Sequence, residues 1–174
     1  MSGVLFSPHA DDETLFAAYT VLRHRPRVVI CFPSERDYGE TQVRADESRA
    51  AMRLLGVTDV DQWHATGPGD LVDAMKAYRR AWAPSVIWAP HLQASHLQHR
   101  TVALAATCVF GQRVRFFHTY DAGGKVRAGE LVAHEPGWPE LKQQALACYR
   151  TQREHPRARQ FFEWDLLEYA EAAR

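Results

Sequence analysis

Cysteine is scarce in this chain. There are three among 174 residues, Cys31, Cys108 and Cys148, far apart and in no metal-finger spacing. So sparse and odd a set argues against a disulfide framework and fits a reducing cytoplasm. Cys108 and Cys148 fall in apolar helical patterns and read as small core residues. Net charge is also missing, since 21 Lys and Arg balance 21 Asp and Glu. No polyanion is courted, and no nucleic-acid partner is indicated. There is no long apolar run and no charged leader, so neither a membrane span nor a signal peptide is expected. Repeats, low-complexity tracts and long linkers are lacking, which leaves a single domain over residues 1–174 as the expectation.

What is present is an ordinary globular composition, 46% hydrophobic and 24% charged, enough for one substantial core. Short apolar runs alternate with helical patterns. Val4 to Phe6 reads as a buried strand that stops at Ser7-Pro8, and Thr14 to His24 as a helix. Val28 to Phe32 is a second strand. Val43 to Leu55 is a helix closed by Gly56, and Val60 to Ala65 a third strand. Asp70 to Trp82 is a helix and Val86 to Ala89 a fourth strand. His96 to Phe110 is a helix closed by Gly111, and Val114 to Tyr120 a fifth strand. Leu131 to His134 reads as an edge strand, paired across the Gly123-Gly124 turn. Glu140 to Tyr149 and Phe161 to Ala172 read as closing helices. The last is rich in aromatics and offers a surface for homo-oligomer formation.

Strands that are apolar on both faces, alternating with helices, define a Rossmann-like α/β fold: a three-layer sandwich around a mostly parallel sheet. In the usual doubly wound order strand 1 lies beside strand 4. Ligands bind where the loops leaving their carboxyl ends diverge. Residues 7–13 and 90–100 should therefore face each other.

Those two loops carry the chemistry. The first reads Pro8-His9-Ala10-Asp11-Asp12-Glu13. The second carries His91 and then His96-Leu97-Gln98-His99. Imidazole and carboxylate suit zinc, and a few protein ligands with one open position make a catalytic site. Singly, each residue has an ordinary reading: a histidine as polar filler, Asp11 or Asp12 as a helix N-cap. Together at one crevice, three adjacent carboxylates repel one another and call for a cation. A pyrophosphate-binding turn is not an alternative, because strand 1 is followed by no G-x-G-x-x-G.

The segment Ser7-Pro8-His9-Ala10-Asp11-Asp12-Glu13 resembles the (A/P)HPDDE signature of the LmbE-like or PIG-L deacetylases, with Ala10 in place of proline. Arg44-Ala45-Asp46-Glu47 with Ala50 and Leu55-Gly56 is similar to that family's R-x-x-E helix. His96 to His99 is similar to its HxxH element, and Lys142 to Leu146 with Thr151-Gln152 to its K-x-x-AL…SQ helix. The resemblance implies a zinc-dependent hydrolase that removes an acyl group, above all acetyl, from a small-molecule amide substrate. An N-acetylglucosamine-type sugar or glycoside is the implied substrate. A nucleoside, a thiol conjugate or a non-catalytic module on the same fold are the rival readings. It implies zinc on His9, Asp12 and His99, with iron or another divalent ion open on donor type. Asp11 would be the general base, and His96 would stabilise charge on the carbonyl while overhanging the metal without reaching it. Arg44, Asp70 and His91 would contact substrate. Some members carry a tyrosine where this chain has Ala94, and Tyr38, His91 and His118 are candidates to replace it.

Overall fold

The computed structural model describes residues 3–33 and 40–171. Five strands, β1 (Gly3–Ser7), β2 (Arg27–Ile30), β3 (Val60–Gln62), β4 (Val86–Pro90) and β5 (Val114–Phe117), run parallel in the order β3-β2-β1-β4-β5. Strand β1 pairs with β4 over Gly3↔Val86 to Leu5↔Trp88, so the expected strand neighbours are neighbours. Alternation along β1 divides the interior. Val4 and Phe6 face a core completed by α4 (Pro68–Trp82) and α5 (Leu97–Phe110). Leu5 faces a second core with α2 (Ala18–His24), α3 (Thr41–Leu54) and α6 (Trp138–Leu146). Both faces of the strand are fully buried, as covered parallel strands require. Burying each such large side chain is worth about 1.5–3 kcal/mol.

Helix α3 ends as its sequence indicates. Gly56 sits at φ +77°, and the Val57 amide returns to the Met52 carbonyl at 2.8 Å, a Schellman closure that favours glycine. The strand at Val60 is shorter than expected, but the Trp63 and Ala65 amides still bond to the Ile30 and Cys31 carbonyls. Cys31 is buried, whereas Cys108 is exposed and Cys148 half-buried, so the latter two are not core residues.

Three expected elements differ, and one cause underlies two of them. The helix from Thr14 to His24 is split into α1 (Asp12–Leu15) and α2. In an unbroken helix the Tyr19 amide would bond to the Leu15 carbonyl. Instead the Leu15 carbonyl accepts from Lys142 Nζ at 2.9 Å, and the Tyr19 amide donates to the Glu168 carboxylate at 3.0 Å. A buried ion pair from far along the chain is wedged into the helical ladder. The final helix, expected from Phe161, is absent too. A 3₁₀ turn at Arg159–Glu163 leads into an extended strap and β9 (Tyr169–Ala170). The strap's carbonyls at Asp165 and Leu166 accept from Lys125 and Lys142, so they cannot close helical turns. The aromatic helix expected to drive self-association does not form, and Phe161, Phe162 and Trp164 pack into this chain's own core. Ala172 lies outside the described residues.

The third difference is the edge strand. The Gly123-Gly124 turn closes only a short hairpin, β6 (Tyr120–Asp121) with β7 (Gly124–Lys125). The pairing near Leu131 is instead β8 (Glu130–Leu131) against β9, which itself pairs antiparallel with β5. The seven-stranded sheet is therefore parallel through β5 and antiparallel at one edge. Among the described residues no helix is long and apolar enough to cross a membrane.

Candidate metal centre and active site

The turn after β1 is built to aim its side chains. Asp11 has φ 151°, a backbone conformation that costs a non-glycine residue roughly 1–3 kcal/mol. Glu13 braces it. One oxygen of this fully buried carboxylate accepts from Ser7 Oγ and the Asp11 amide, both at 3.0 Å. The other accepts from Ser48 Oγ at 2.5 Å and the Tyr149 hydroxyl at 2.6 Å. Asp11 stands at the N-terminus of α1, yet its side chain caps nothing there. Its Oδ2 accepts from Arg44 Nη2 at 3.2 Å, and the same nitrogen donates to the Ala10 carbonyl at 2.8 Å. The ordinary N-cap reading of Asp11 therefore fails.

Across the crevice, α5 begins just after His96 and presents the HxxH pair to this turn. Asp12 Oδ2 lies 3.0 Å from His9 Nδ1 and 3.1 Å from His99 Nε2. His9 Nε2 meets Gln98 Oε1 at 2.6 Å, and His99 Nδ1 meets Thr119 Oγ1 at 3.2 Å. These outer contacts select tautomers. His9 Nδ1 shares a hydrogen bond with Asp12, and a proton kept on Nε2 and given to Gln98 would free Nδ1 to hold a metal ion. A proton on His99 Nδ1, given to Thr119, does the same for Nε2. His99 Nε2 is buried against Asp12 but outside hydrogen-bonding alignment with it. His96 Nδ1 is also buried without a hydrogen bond.

The donor set fits a divalent metal ion. Tetrahedral ligands about 2.0–2.1 Å from zinc stand about 3.3 Å apart, close to the separations here. The ring nitrogens of His9, His96 and His99 also lie within 4.8 Å of one another. His96 thus reaches nearer the cluster than the sequence suggested. Its ring is 5.0 Å from those of His9 and His99. The Asp12 contacts are tighter, and they make His9, Asp12 and His99 the compact set with His96 beside it.

Burial opposes charge on Asp12, yet His99 and His9 hold its carboxyl well below the usual range. Burial opposes charge on His9 too, but Asp12 outweighs it and raises the imidazole. Burial, seconded by His9 and His99, takes His96 down to about 4, so its ring is neutral at pH 7. Burial pushes the Asp11 carboxyl up to about 7, with Arg44 pulling the other way.

In front of the cluster is a cavity of about 120 Å³. Its lining is polar at His9, Asp11, Asp12, Arg44 and His96 and largely apolar at Leu15, Tyr120, Ala158 and Phe161. Two residues expected to contact substrate are elsewhere. Asp70 is exposed and bonds to the Thr66 amide and hydroxyl at the start of α4. His91 Nε2 is held by Glu171 at 2.9 Å, and its ring stacks on His118 at 4.4 Å, so neither histidine lines the cavity. Tyr38 lies outside the described residues. Sequence reasoning missed Gln98, Thr119, Tyr120 and Phe161. Only Gln98 carried a signal, from its place inside the HxxH element.

The match to a de-N-acetylase family model over most of the chain makes this a hydrolase of the N-deacetylase class. The chain belongs to the GlcNAc-PI de-N-acetylase family, PIG-L, whose model matches residues 4–110. No curated protein matches it in sequence. Among solved structures it is similar to the conserved protein TT1542 from Thermus thermophilus, with TM-score 0.77 and 17% identity over 100% of this chain and 95% of that one. It is similar to the N,N'-diacetylchitobiose deacetylase from Pyrococcus horikoshii, with TM-score 0.74 and 15% identity over 98% and 82%. It is also similar to the zinc-inhibited form of the teicoplanin deacetylase Orf2, with TM-score 0.70 and 15% identity over 87% and 85%. Identities this low speak for the fold alone.

Proposed function

We propose that the protein removes the acetyl group from the nitrogen of an N-acetylglucosamine-type sugar, with zinc held by His9, Asp12 and His99. The observation that carries this reading is the convergence of His9 Nδ1 and His99 Nε2 on Asp12 Oδ2, with Asp11 and a half-open cavity beside them. The family, and the acetylated sugar named for the Pyrococcus protein, support the substrate class. The free thiols of Cys31, Cys108 and Cys148 support a cytoplasmic setting.

When bound, the ion supplies Lewis acidity toward the amide carbonyl and a water. The chain's own groups do the rest. Asp11 takes a proton from the attacking water at its carboxylate and later passes it to the leaving nitrogen. A carboxyl pushed up toward neutrality by burial is suited to both transfers. Arg44 keeps that carboxylate fixed and ionised enough to accept. Neutral His96 donates a ring N–H to the oxygen on which negative charge develops.

The test is acetate release from N-acetylglucosamine and N,N'-diacetylchitobiose. It uses protein stripped with chelator and reloaded with zinc or iron. Release that depends on metal and is lost in His99→Ala is expected. No release from either sugar under any loading overturns the reading.

A further inference from the structure

The cavity's lining combines polar with apolar groups, and three of its four least polar residues lie outside the span that matches the family. Tyr120, Ala158 and Phe161 lie beyond residue 110. Resting on the proposed deacetylation, we infer that Phe161, seated on Tyr120, is the specificity-determining residue that limits the acyl group to acetyl.

The orientation follows from polarity. A carbonyl processed by Asp11 and His96 has an amine part on one side and an acyl part on the other. The amine part of a sugar amide is polar and large. Its match is the polar lining, with Arg44 and the histidines. The acyl carbon is apolar, and its match is the surface of Leu15, Tyr120, Ala158 and Phe161. About 120 Å³ is far below the ~300–1,000 Å³ that encloses a whole drug-sized ligand. So small a space suits the reacting amide end with a short acyl group.

The wall is also held in place. Phe161 stacks on Tyr120 at 5.0 Å and 28°, and Trp164 meets Phe161 edge-on at 4.9 Å. Tyr120 in turn stands edge-on to His99 at 5.3 Å, so the wall is fixed to the metal cluster itself. Behind it, Lys125 Nζ donates to the Asp165 carbonyl at 2.7 Å, and Lys142 Nζ to the Leu166 carbonyl at 3.2 Å. A longer acyl chain cannot push this segment aside without breaking buried charge-assisted bonds.

The experiment compares N-acetyl-, N-butyryl- and N-octanoyl-glucosamine with metal-loaded wild type, Phe161→Ala and Phe161→Leu. The leucine variant keeps an apolar side chain against Tyr120 and so retains the packing if the alanine variant does not fold. Wild type is expected to favour acetyl over octanoyl by about 100-fold or more in kcat/KM, since apolar pockets discriminate ~10–200-fold per methylene. Phe161→Ala should narrow that ratio at least ~10-fold by gaining on the longer chains, with Phe161→Leu between. Equal use of octanoyl by wild type, or an unchanged ratio in a folded variant, overturns the inference. If no acyl glucosamine is cleaved, it is the sugar deacetylase reading that fails. The wall then stands or falls on calorimetric titration of acetate against octanoate. Octanoate binding gained only in the variants upholds it, and octanoate binding wild type as well as acetate does overturns it.

Discussion

Lys142 and Glu168 lie 2.7 Å apart with almost no exposure, and α1 carries at its other end a second, less fully buried group, Asp12 with His9 and His99. In the first pair every polar valence is matched. The three ammonium protons of Lys142 go to Glu168 and to the Leu15 and Leu166 carbonyls. Glu168 also accepts the Tyr19 amide on both oxygens. In the second group His96 Nδ1 makes no hydrogen bond, His99 Nε2 meets only the Asp12 carboxylate, and a cavity opens in front. Buried charge is present in both places, so it does not by itself mark function. A group left short of hydrogen bonds beside a cavity has room for something other than protein to complete it. The complete pair serves the incomplete group, because it anchors the strap that walls the cavity.

The largest effect should come from the incomplete side. Asp11→Asn removes the proton acceptor while keeping its size, and turnover of the metal-loaded enzyme should fall by ~100- to 10,000-fold. Metal content, read by elemental analysis, should match wild type. Rates near wild type would move the base elsewhere and leave Asp11 as a partner of Arg44 alone.

The complete side should respond in stability. Lys142→Met strands the Glu168 carboxylate, and breaking a buried pair in this way costs about 3–5 kcal/mol. Urea unfolding of Lys142→Met, Glu168→Leu and the double variant should show the double recovering most of the loss. In metal-free protein, His9→Ala should cost less than Lys142→Met, because its cluster awaits a ligand. A larger loss for His9→Ala would break the comparison.

The parallel half of the sheet and both site loops were legible in the sequence. Their signals are local: β-branched runs at Val28 and Val86, a glycine closure at Gly56, and donors within three residues of each other at His9 and Asp12. The reading failed where distant residues compete for backbone groups. Thr14 to His24 has sound helical periodicity, and nothing within it says that Lys142 will take the Leu15 carbonyl. Phe161 to Ala172 is as apolar as a docking helix, but its carbonyls are claimed by Lys125 and Lys142. For the same reason the cavity's apolar lining had no local signal. His91 is likewise engaged by the distant Glu171, whereas Asp70 is held by its near neighbour Thr66.

Within the site, Gln98 sharpens the contrast between a donor and what orients it. Its Oε1 fixes the proton of His9 on Nε2. Gln98→Leu should weaken zinc binding ~10- to 100-fold, the usual loss when such an outer contact is removed. Competition with a chelating dye measures this without any turnover. In the metal-free protein the His9 Nε2 nitrogen shift should move as its hydrogen bond to Gln98 is lost. Unchanged affinity and an unchanged shift would make the 2.6 Å contact incidental.

The smallest effect concerns a third buried group, His118, which neither binds metal nor belongs to an ion pair. Burial lowers it below the ordinary histidine value, and the stacked His91 ring adds to this, against a weaker opposite pull from Glu171. Glu171 is itself engaged by His91. The folded state therefore holds fewer protons here than the unfolded chain once pH drops below about 6.5, the free histidine value. Stability is complete above that pH and erodes as pH falls from it toward the lower folded-state value. His118→Gln keeps the size and polarity but cannot titrate, so its Tm should decline less between pH 7.5 and 5.5 than that of wild type. Some decline must persist, because His24 is also lowered by its burial. An equally steep fall in His118→Gln would mean that His118 titrates freely in the folded protein, and that its packing against His91 excludes no proton.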